Sequence, residues 1–482
     1  MPVYTKLFAA FFLCVFFSYY FVLKFFVKSV RKSILFSNIL LFLASMAFYS
    51  YANLKFLPIL LILGIITYFS GILYNKLRSH KKIWMIIFIV LQLLPLFASF
   101  ALKVYARYGG AFDLILPLGL SFFTLQAMTY TEAVYHGRIP VEYNVLNVLL
   151  FVCFFPCISS GPIQRAEKLL PQIRAEKQFD YNKAADGLRL MGFGFMKKLV
   201  IADNPAIYIR SVRGFEGDKY GLALFLSAVF YSFQLYLDFS GYSDIVIGAA
   251  TALGYDLGEN FHRPYLSHSV GEFWNRWHSS LSSWLRDYIY IPLGGSRTSK
   301  IKIYRNILIT FAVSGLWHGT GITWLIWGLF HGICLCIERA IGFGKKNKKA
   351  WQILTTFILV SFGWIIFSSE NMRVVLDTVV SFGHIPHELM HTLPEFMAEG
   401  KSFGIALSEL FMISKEVHMS VCLIGLIIYS VIGIVLEKKS ISGLDFVRQQ
   451  KTVVRWALYF CLVLSILFFG AANSAEFIYN RF

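Results

Sequence analysis

His318 lies 13 residues past Arg305, in a stretch bounded by Arg305 and Glu338 whose 32 intervening residues are all uncharged. If the stretch starts as a helix, a rise of about 1.5 Å per residue puts His318 roughly 20 Å in, near the middle of an apolar layer about 30 Å thick. An imidazole at that depth can accept or relay a proton, so it marks a functional site unless neighbouring backbone satisfies its ring nitrogens. Gly319, Thr320 and Gly321 follow directly. They loosen the helix where unwound backbone is tolerated only if it lines protein or a water-filled cavity. His331, 13 residues further on, is expected near the far interface and to matter least.

A second stretch with chemistry in it covers residues 270–288, VGEFWNRWHSSLSSWLRDY. Read as one helix, it puts Trp274, Trp277, His278, Leu281, Trp284, Leu285 and Tyr288 on an aromatic face, with Glu272, Asn275, Arg276, Ser279, Ser283 and Arg286 opposite. From periodicity alone this is an interfacial aromatic anchor. Pro292, Gly294 and Gly295 then end the helix in a tight turn. Flanked by Arg286 and Arg297, that turn offers a phosphate contact of the kind a coenzyme A or phosphopantetheine arm would use, although it lacks the strand and glycine spacing of a true phosphate loop.

The elements that must position these residues are membrane helices. Of 482 residues, 57% are hydrophobic and 17% aromatic, and the mean hydropathy is +0.61; a soluble globular chain is excluded. The formal charge of +18 sits in short basic clusters between apolar runs. That pattern points to anionic lipid headgroups and not to nucleic acid. Lys24, Lys28, Arg31 and Lys32 follow the first apolar run, and Lys76, Arg78, Lys81 and Lys82 follow the third. Two crossings separate the clusters, so both face the cytoplasm, with the N-terminus outside. Residues 7–26 lack a small-residue cleavage site and read as a retained span.

Apolar segments lie near 7–27, 33–51, 56–74, 83–105, 114–135, 144–160, 220–238, 303–318, 322–342, 351–368, 420–436 and 454–472, with 243–254 read as a partial or re-entrant piece. They predict an all-α polytopic protein of about eleven crossings. Pro117, Gly119, Pro156 and Pro162 predict kinks or breaks. No internal repeat is visible, which disfavours an inverted-repeat transporter. Two insertions are amphipathic and surface-lying: residues 164–204, with Leu169, Leu170, Ile173 and Leu188, and residues 370–418, with Met372, Val375, Leu376 and Val379. In the latter, His384, His387 and His391 have helical spacing, but Pro386 interrupts them and the order is not HExxH, so no metal site is expected. The seven cysteines show no zinc-like pairing and read as inert thiols.

Residues 239–297, FSGYSDIVIGAATALGYDLGENFHRPYLSHSVGEFWNRWHSSLSSWLRDYIYIPLGGSR, and 311–332, FAVSGLWHGTGITWLIWGLFHG, closely resemble the membrane-bound O-acyltransferase family, in the branch of the bacterial alginate O-acetyltransferase. LPLGLSFFTLQAMTY (116–130), SGPIQR (160–165), GFMKKLVIADN (194–204) and the terminal FIYNRF are similar to the same branch, so the resemblance spans the chain. The related D-alanyl transfer protein of teichoic acid synthesis shares the FWNRWH and GxWHG elements without a PLGGSR-like turn.

The resemblance implies a single membrane domain over 1–482, with a bundle of membrane helices around a central tunnel and a catalytic core at about 112–342. It makes His318, of the WHG motif, the catalytic histidine and His278, of the RWH motif, a second active-site residue. Asn275, Trp277, Arg286, Arg297 and Trp317 are the expected donor- and substrate-binding residues. The implied reaction is acyl transfer from a cytoplasmic thioester, with acetyl-CoA as donor substrate and no bound cofactor or metal, in the cytoplasmic membrane of a bacterium. The acceptor is a hydroxyl of an extracytoplasmic polysaccharide, or a partner acetyltransferase that passes the group on. Because an alcohol is a poor nucleophile, a base within hydrogen-bond reach must take its proton as it attacks. The alternative from another class is a proton-coupled transporter or flippase of polysaccharide precursors, which needs acids paired with the histidines; Asp238 and Asp244 are the candidates.

Overall fold

The computed structural model describes residues 1–22, 29–76, 80–107, 117–344, 349–414, 418–471 and 477. Lys24, Lys28, Arg78, Leu116 and most of the terminal FIYNRF lie outside them. Every regular element among the described residues is helical. In chain order the first helices are α1 (Lys6–Phe17), α2 (Val30–Asn53), α3 (Leu57–Lys76), α4 (Lys81–Arg107), α5 (Leu120–Tyr135), α6 (Val145–Cys153) and α7 (Ala166–Arg174). Next come α8 (Tyr181–Met196), α9 (Asp203–Gly214), α10 (Gly221–Ala252), α11 (Val270–Arg276) and α12 (Ser279–Leu285). The last are α13 (Lys300–His318), α14 (Ile322–Ile341), α15 (Ala350–Ser368), α16 (Met372–Phe382), α17 (Met419–Lys438) and α18 (Thr452–Phe469).

Among the described residues eight helices are long and apolar enough to cross a membrane: α2, α3, α4, α10, α14, α15, α17 and α18. The expected segments at 114–135, 144–160 and 303–318 form helices that are shorter or more polar, namely α5, α6 and α13. Residues 243–254 are not re-entrant: α10 runs unbroken from Gly221 to Ala252. Polar residues of α10 are paired inside the protein, Asp238 with Lys198 at 2.8 Å, and Tyr242 with Ser159 through their hydroxyls.

The chain forms two compact units, one of residues 1–194 and 242–260, the other of 195–241 and 261–482. In the first, buried amides and hydroxyls tie the helices together. Gln92 donates to the Thr67 and Thr131 hydroxyls at 3.0 and 2.9 Å, joining α3, α4 and α5 where no water competes. After α6 the backbone unwinds, as Pro156 and Pro162 predicted, yet residues 154–164 are buried. Side chains satisfy its polar groups: Ser45 accepts from the Phe155 N–H at 3.0 Å, and Gln126 accepts from the Gln164 N–H at 3.1 Å. Of the expected amphipathic face, Leu169, Leu170 and Ile173 are buried and Leu188 is exposed.

The second unit carries the candidate site. There α13 and α14 form an antiparallel hairpin through the turn at 319–321. Glycine permits the close approach: a Cβ on Gly315 would lie 2.2 Å from the Trp324 carbonyl oxygen, and one on Gly328 would lie 2.1 Å from that of Phe311. Helix α15 then packs against α14, with Trp364 stacked on Trp327 at 5.9 Å and Phe362 against Phe330 at 5.3 Å.

The 370–418 insertion buries less than its pattern suggested. Val375 is the buried position of α16, while Leu376 and Val379 are exposed. His384, His387 and His391 are exposed. The buried group among them is Glu388, whose carboxylate accepts from the Gly221 and Leu222 N–H groups at 2.6 and 3.0 Å and so caps α10.

Candidate active site

The 270–288 stretch is two helices and not one. His278 sits between α11 and α12 in the left-handed region, φ 43° and ψ 53°, a conformation uncommon for a residue with a side chain. The break is satisfied locally. The Trp277 N–H donates to the Phe273 carbonyl at 2.8 Å, and the Leu281 and Ser282 N–H groups both donate to the His278 carbonyl at 3.0 Å. The Ser282 hydroxyl donates to the Trp277 carbonyl at 3.1 Å. On the far side, Glu338 of α14 accepts from the Val270 and Gly271 N–H groups at 2.6 and 3.0 Å, fixing the start of α11 to the hairpin.

Across the break the His278 and Trp277 rings share Phe261 as a neighbour, at 6.2 and 5.2 Å. The His278 ring is 1% exposed, edge-on to Phe239 at 4.8 Å and 6.5 Å from Trp317; its Nδ1 lies 3.4 Å from the Ser280 hydroxyl. His278 is outside the eight spans, and burial pulls its pKa well below the ordinary imidazole value, with neighbouring His318 adding to the shift. It is held neutral.

His318 is the last residue of α13, at the turn. Its ring is edge-to-face with Trp317 at 4.7 Å, with Trp327 at 5.1 Å and with Phe367 at 5.4 Å, and is stacked on Trp324 at 6.1 Å. Trp317 therefore touches both histidines. A pair of buried imidazoles in an aromatic enclosure suits proton transfer to and from a group brought in from outside.

A cavity of about 360 Å³ is lined among others by Trp274, Asn275, Ser279, Ser283, Arg286 and Ser314, and so takes in the residue after His278 and one a helical turn before His318. The 270–288 stretch lines it with Asn275, Ser279, Ser283 and Arg286 of the polar face together with Trp274 and Leu285 of the aromatic face. Of the expected donor-binding residues, Asn275 and Arg286 line it. Trp277 does not: it is 1% exposed and packs on Trp364 at 4.9 Å and Phe261 at 5.2 Å. Arg297 is exposed on the glycine turn, which Asn306 fastens by donating to the Leu293 and Gly295 carbonyls at 3.1 and 3.3 Å.

His331 is not near an interface. It lies midway along α14 and is fully buried, because the chain reverses at 319–321 and returns alongside α13. Of the two acids considered for a proton relay, Asp238 is engaged otherwise: the Lys198 ammonium bridges it and Asp203, both at 2.8 Å, with all three side chains 1% exposed. Sequence reading missed Lys198, although it stands in the quoted GFMKKLVIADN motif.

The family model described as MBOAT, membrane-bound O-acyltransferase family, matches residues 41–376. A protein of Pseudomonas aeruginosa named "Probable alginate O-acetylase AlgI" is 37% identical, over 72% of this chain and 70% of its own. The peptidoglycan O-acetyltransferase of Helicobacter pylori is 31% identical over 99% of this chain and 97% of its own. The teichoic acid D-alanyltransferase of Bacillus subtilis is 28% identical over 62% and 82%.

Proposed function

Given that this chain belongs to the membrane-bound O-acyltransferase family, and is therefore a multi-pass membrane O-acyltransferase, we propose that it moves an acetyl group from cytoplasmic acetyl-CoA toward hydroxyls of an extracytoplasmic polysaccharide. The relatives' names put acyl groups on alginate, peptidoglycan and teichoic acid. A polymer outside the cytoplasmic membrane of a bacterium is accordingly the acceptor class, reached directly or through a partner acetyltransferase. The observation that carries the reading is the His278–Trp317–His318 cluster, with a cavity that takes in Ser279, the residue after His278, and Arg286.

In this reading the thioester's carbonyl reaches the histidines from the cavity, and Arg286 at its rim meets the donor's phosphates. The His318 imidazole takes the acceptor hydroxyl's proton as the oxygen attacks the carbonyl carbon. The C–O bond forms, the C–S bond breaks, and the thiolate leaves with the proton returned from His318 as the free thiol. His278, neutral and held against Phe239, orients His318 or donates to the carbonyl. Asn275, or N–H groups of the 319–321 turn, stabilises the oxyanion.

The test uses purified protein in vesicles with radiolabelled acetyl-CoA, extracted cell-surface polymer and the partner candidates. Label appearing as base-labile ester with stoichiometric release of free thiol is expected. Retention of all label on coenzyme A under every combination would refute the reading.

A further inference from the structure

One buried histidine has no part in the reaction as described. His331 is 0% exposed, and among the described residues neither of its ring nitrogens has a hydrogen-bond partner. The ring is therefore held by packing alone. Its neighbours are the residues that define the site. Trp327 meets His331 at 5.3 Å and 74° and His318 at 5.1 Å and 90°, so one indole lies against both imidazoles. Trp274, which lines the cavity, meets His331 edge-on at 5.1 Å and 89° and Trp327 at 5.6 Å and 75°.

A third side of the ring is backbone. A Cβ placed on Gly363 of α15 would lie 2.5 Å from His331 Nε2, closer than atoms approach without one of them moving. Glycine at 363 thus leaves the space that lets the imidazole press on the two tryptophans.

We propose that His331 is a positioning residue for His318, acting through Trp327 and locked by Gly363; the inference rests on the acyl-transfer role of His318. The ring is a wedge between the helix that carries it, the cavity wall at Trp274 and the indole that flanks the catalytic imidazole. Its contribution falls on the chemical step, since it touches neither cavity nor histidine pair directly.

Initial rates of acetyl transfer from acetyl-CoA, together with melting temperatures, test this on the full-length protein. His331→Ala and Gly363→Ala should each lower kcat about tenfold to a hundredfold per folded molecule, with KM for acetyl-CoA changed much less. The double variant should be no worse than His331→Ala alone, because the added methyl then meets empty space. His331→Leu, which refills the site without the imidazole's shape, serves if His331→Ala does not fold and should show the same kcat loss. A second readout needs no activity: modification of His318 by diethyl pyrocarbonate, followed by mass spectrometry, should differ severalfold between wild type and either single variant. Normal kcat per folded molecule with lowered melting temperature, or additive losses in the double variant, or an unchanged His318 modification rate, would overturn the proposal. Failure of the wild type to use acetyl-CoA would refute the proposed function instead, and the modification rate would still decide this inference.

Discussion

The Trp317 ring lies edge-to-face on His318 with centroids 4.7 Å apart, and the same indole reaches the His278 ring at 6.5 Å. Two histidines separated by 39 intervening residues thus share one aromatic partner. Neither helical periodicity nor depth in the sequence connects them.

The cavity wall separates donor binding from stability. Asn275→Ala and Arg286→Ala should raise KM for acetyl-CoA at unchanged melting temperature, since both side chains are exposed on the wall. Trp277→Ala should behave oppositely: truncating an indole packed on Trp364 and Phe261 removes about 3–5 kcal/mol of stability. Paired thermal and kinetic measurements on the three variants check this, and a stable Trp277→Ala with a raised KM would put the donor elsewhere.

Lys198 sets a second stability test. Removing its charge by Lys198→Met leaves Asp203 and Asp238 buried and facing each other, a loss on the order of 3–5 kcal/mol. Burial alone would lower the Lys198 pKa, but the two carboxylates hold it above its ordinary value. A thermal scan in detergent should show a large drop for Lys198→Met. A melting temperature equal to wild type would mean the triad is not intact in the folded protein.

The pH dependence follows from His278. Its folded pKa is depressed by burial, so below about pH 6.5 the unfolded chain takes a proton that the folded chain refuses. Stability is therefore full above the unfolded pKa and lost as pH falls toward the folded one. His278→Gln should lose less stability than wild type between pH 7 and pH 5, measured by urea or thermal unfolding in detergent. An identical acid slope would show that His278 is not held neutral.

Much of this was legible beforehand because it depends on composition and local spacing. The apolar runs gave the helical class, and the Gly319–Thr320–Gly321 sequence gave a loosened helix after His318, where the chain in fact reverses. What was not legible depends on tertiary partners. A left-handed backbone at His278 breaks a stretch whose periodicity reads as one helix. Lys198, 40 residues from Asp238 in sequence, pairs the buried acid of α10, which runs unbroken through the 243–254 piece that reads as partial or re-entrant. Glu388, which stands among the spaced histidines, is a helix cap for residues 221 and 222.

The parity of the basic clusters predicts the orientation, checked by cysteine-accessibility labelling at positions 28 and 76. The two should label from the cytoplasmic side together; α2 and α3 lie between them as two candidate spans. Labelling from opposite faces would contradict the parity of the basic clusters.

The central claim is that His318 is the base. His318→Ala should fold and insert, because it removes a buried imidazole together with its desolvation cost, while acetyl transfer per folded molecule should be abolished. His278→Ala should retain more activity, since an orienting group is replaced more readily than a proton acceptor. The deciding measurement is the acetyl-transfer rate of purified His318→Ala normalised to folded protein. Background-level transfer with a wild-type melting profile is the predicted result, and a near-normal rate would contradict the mechanism.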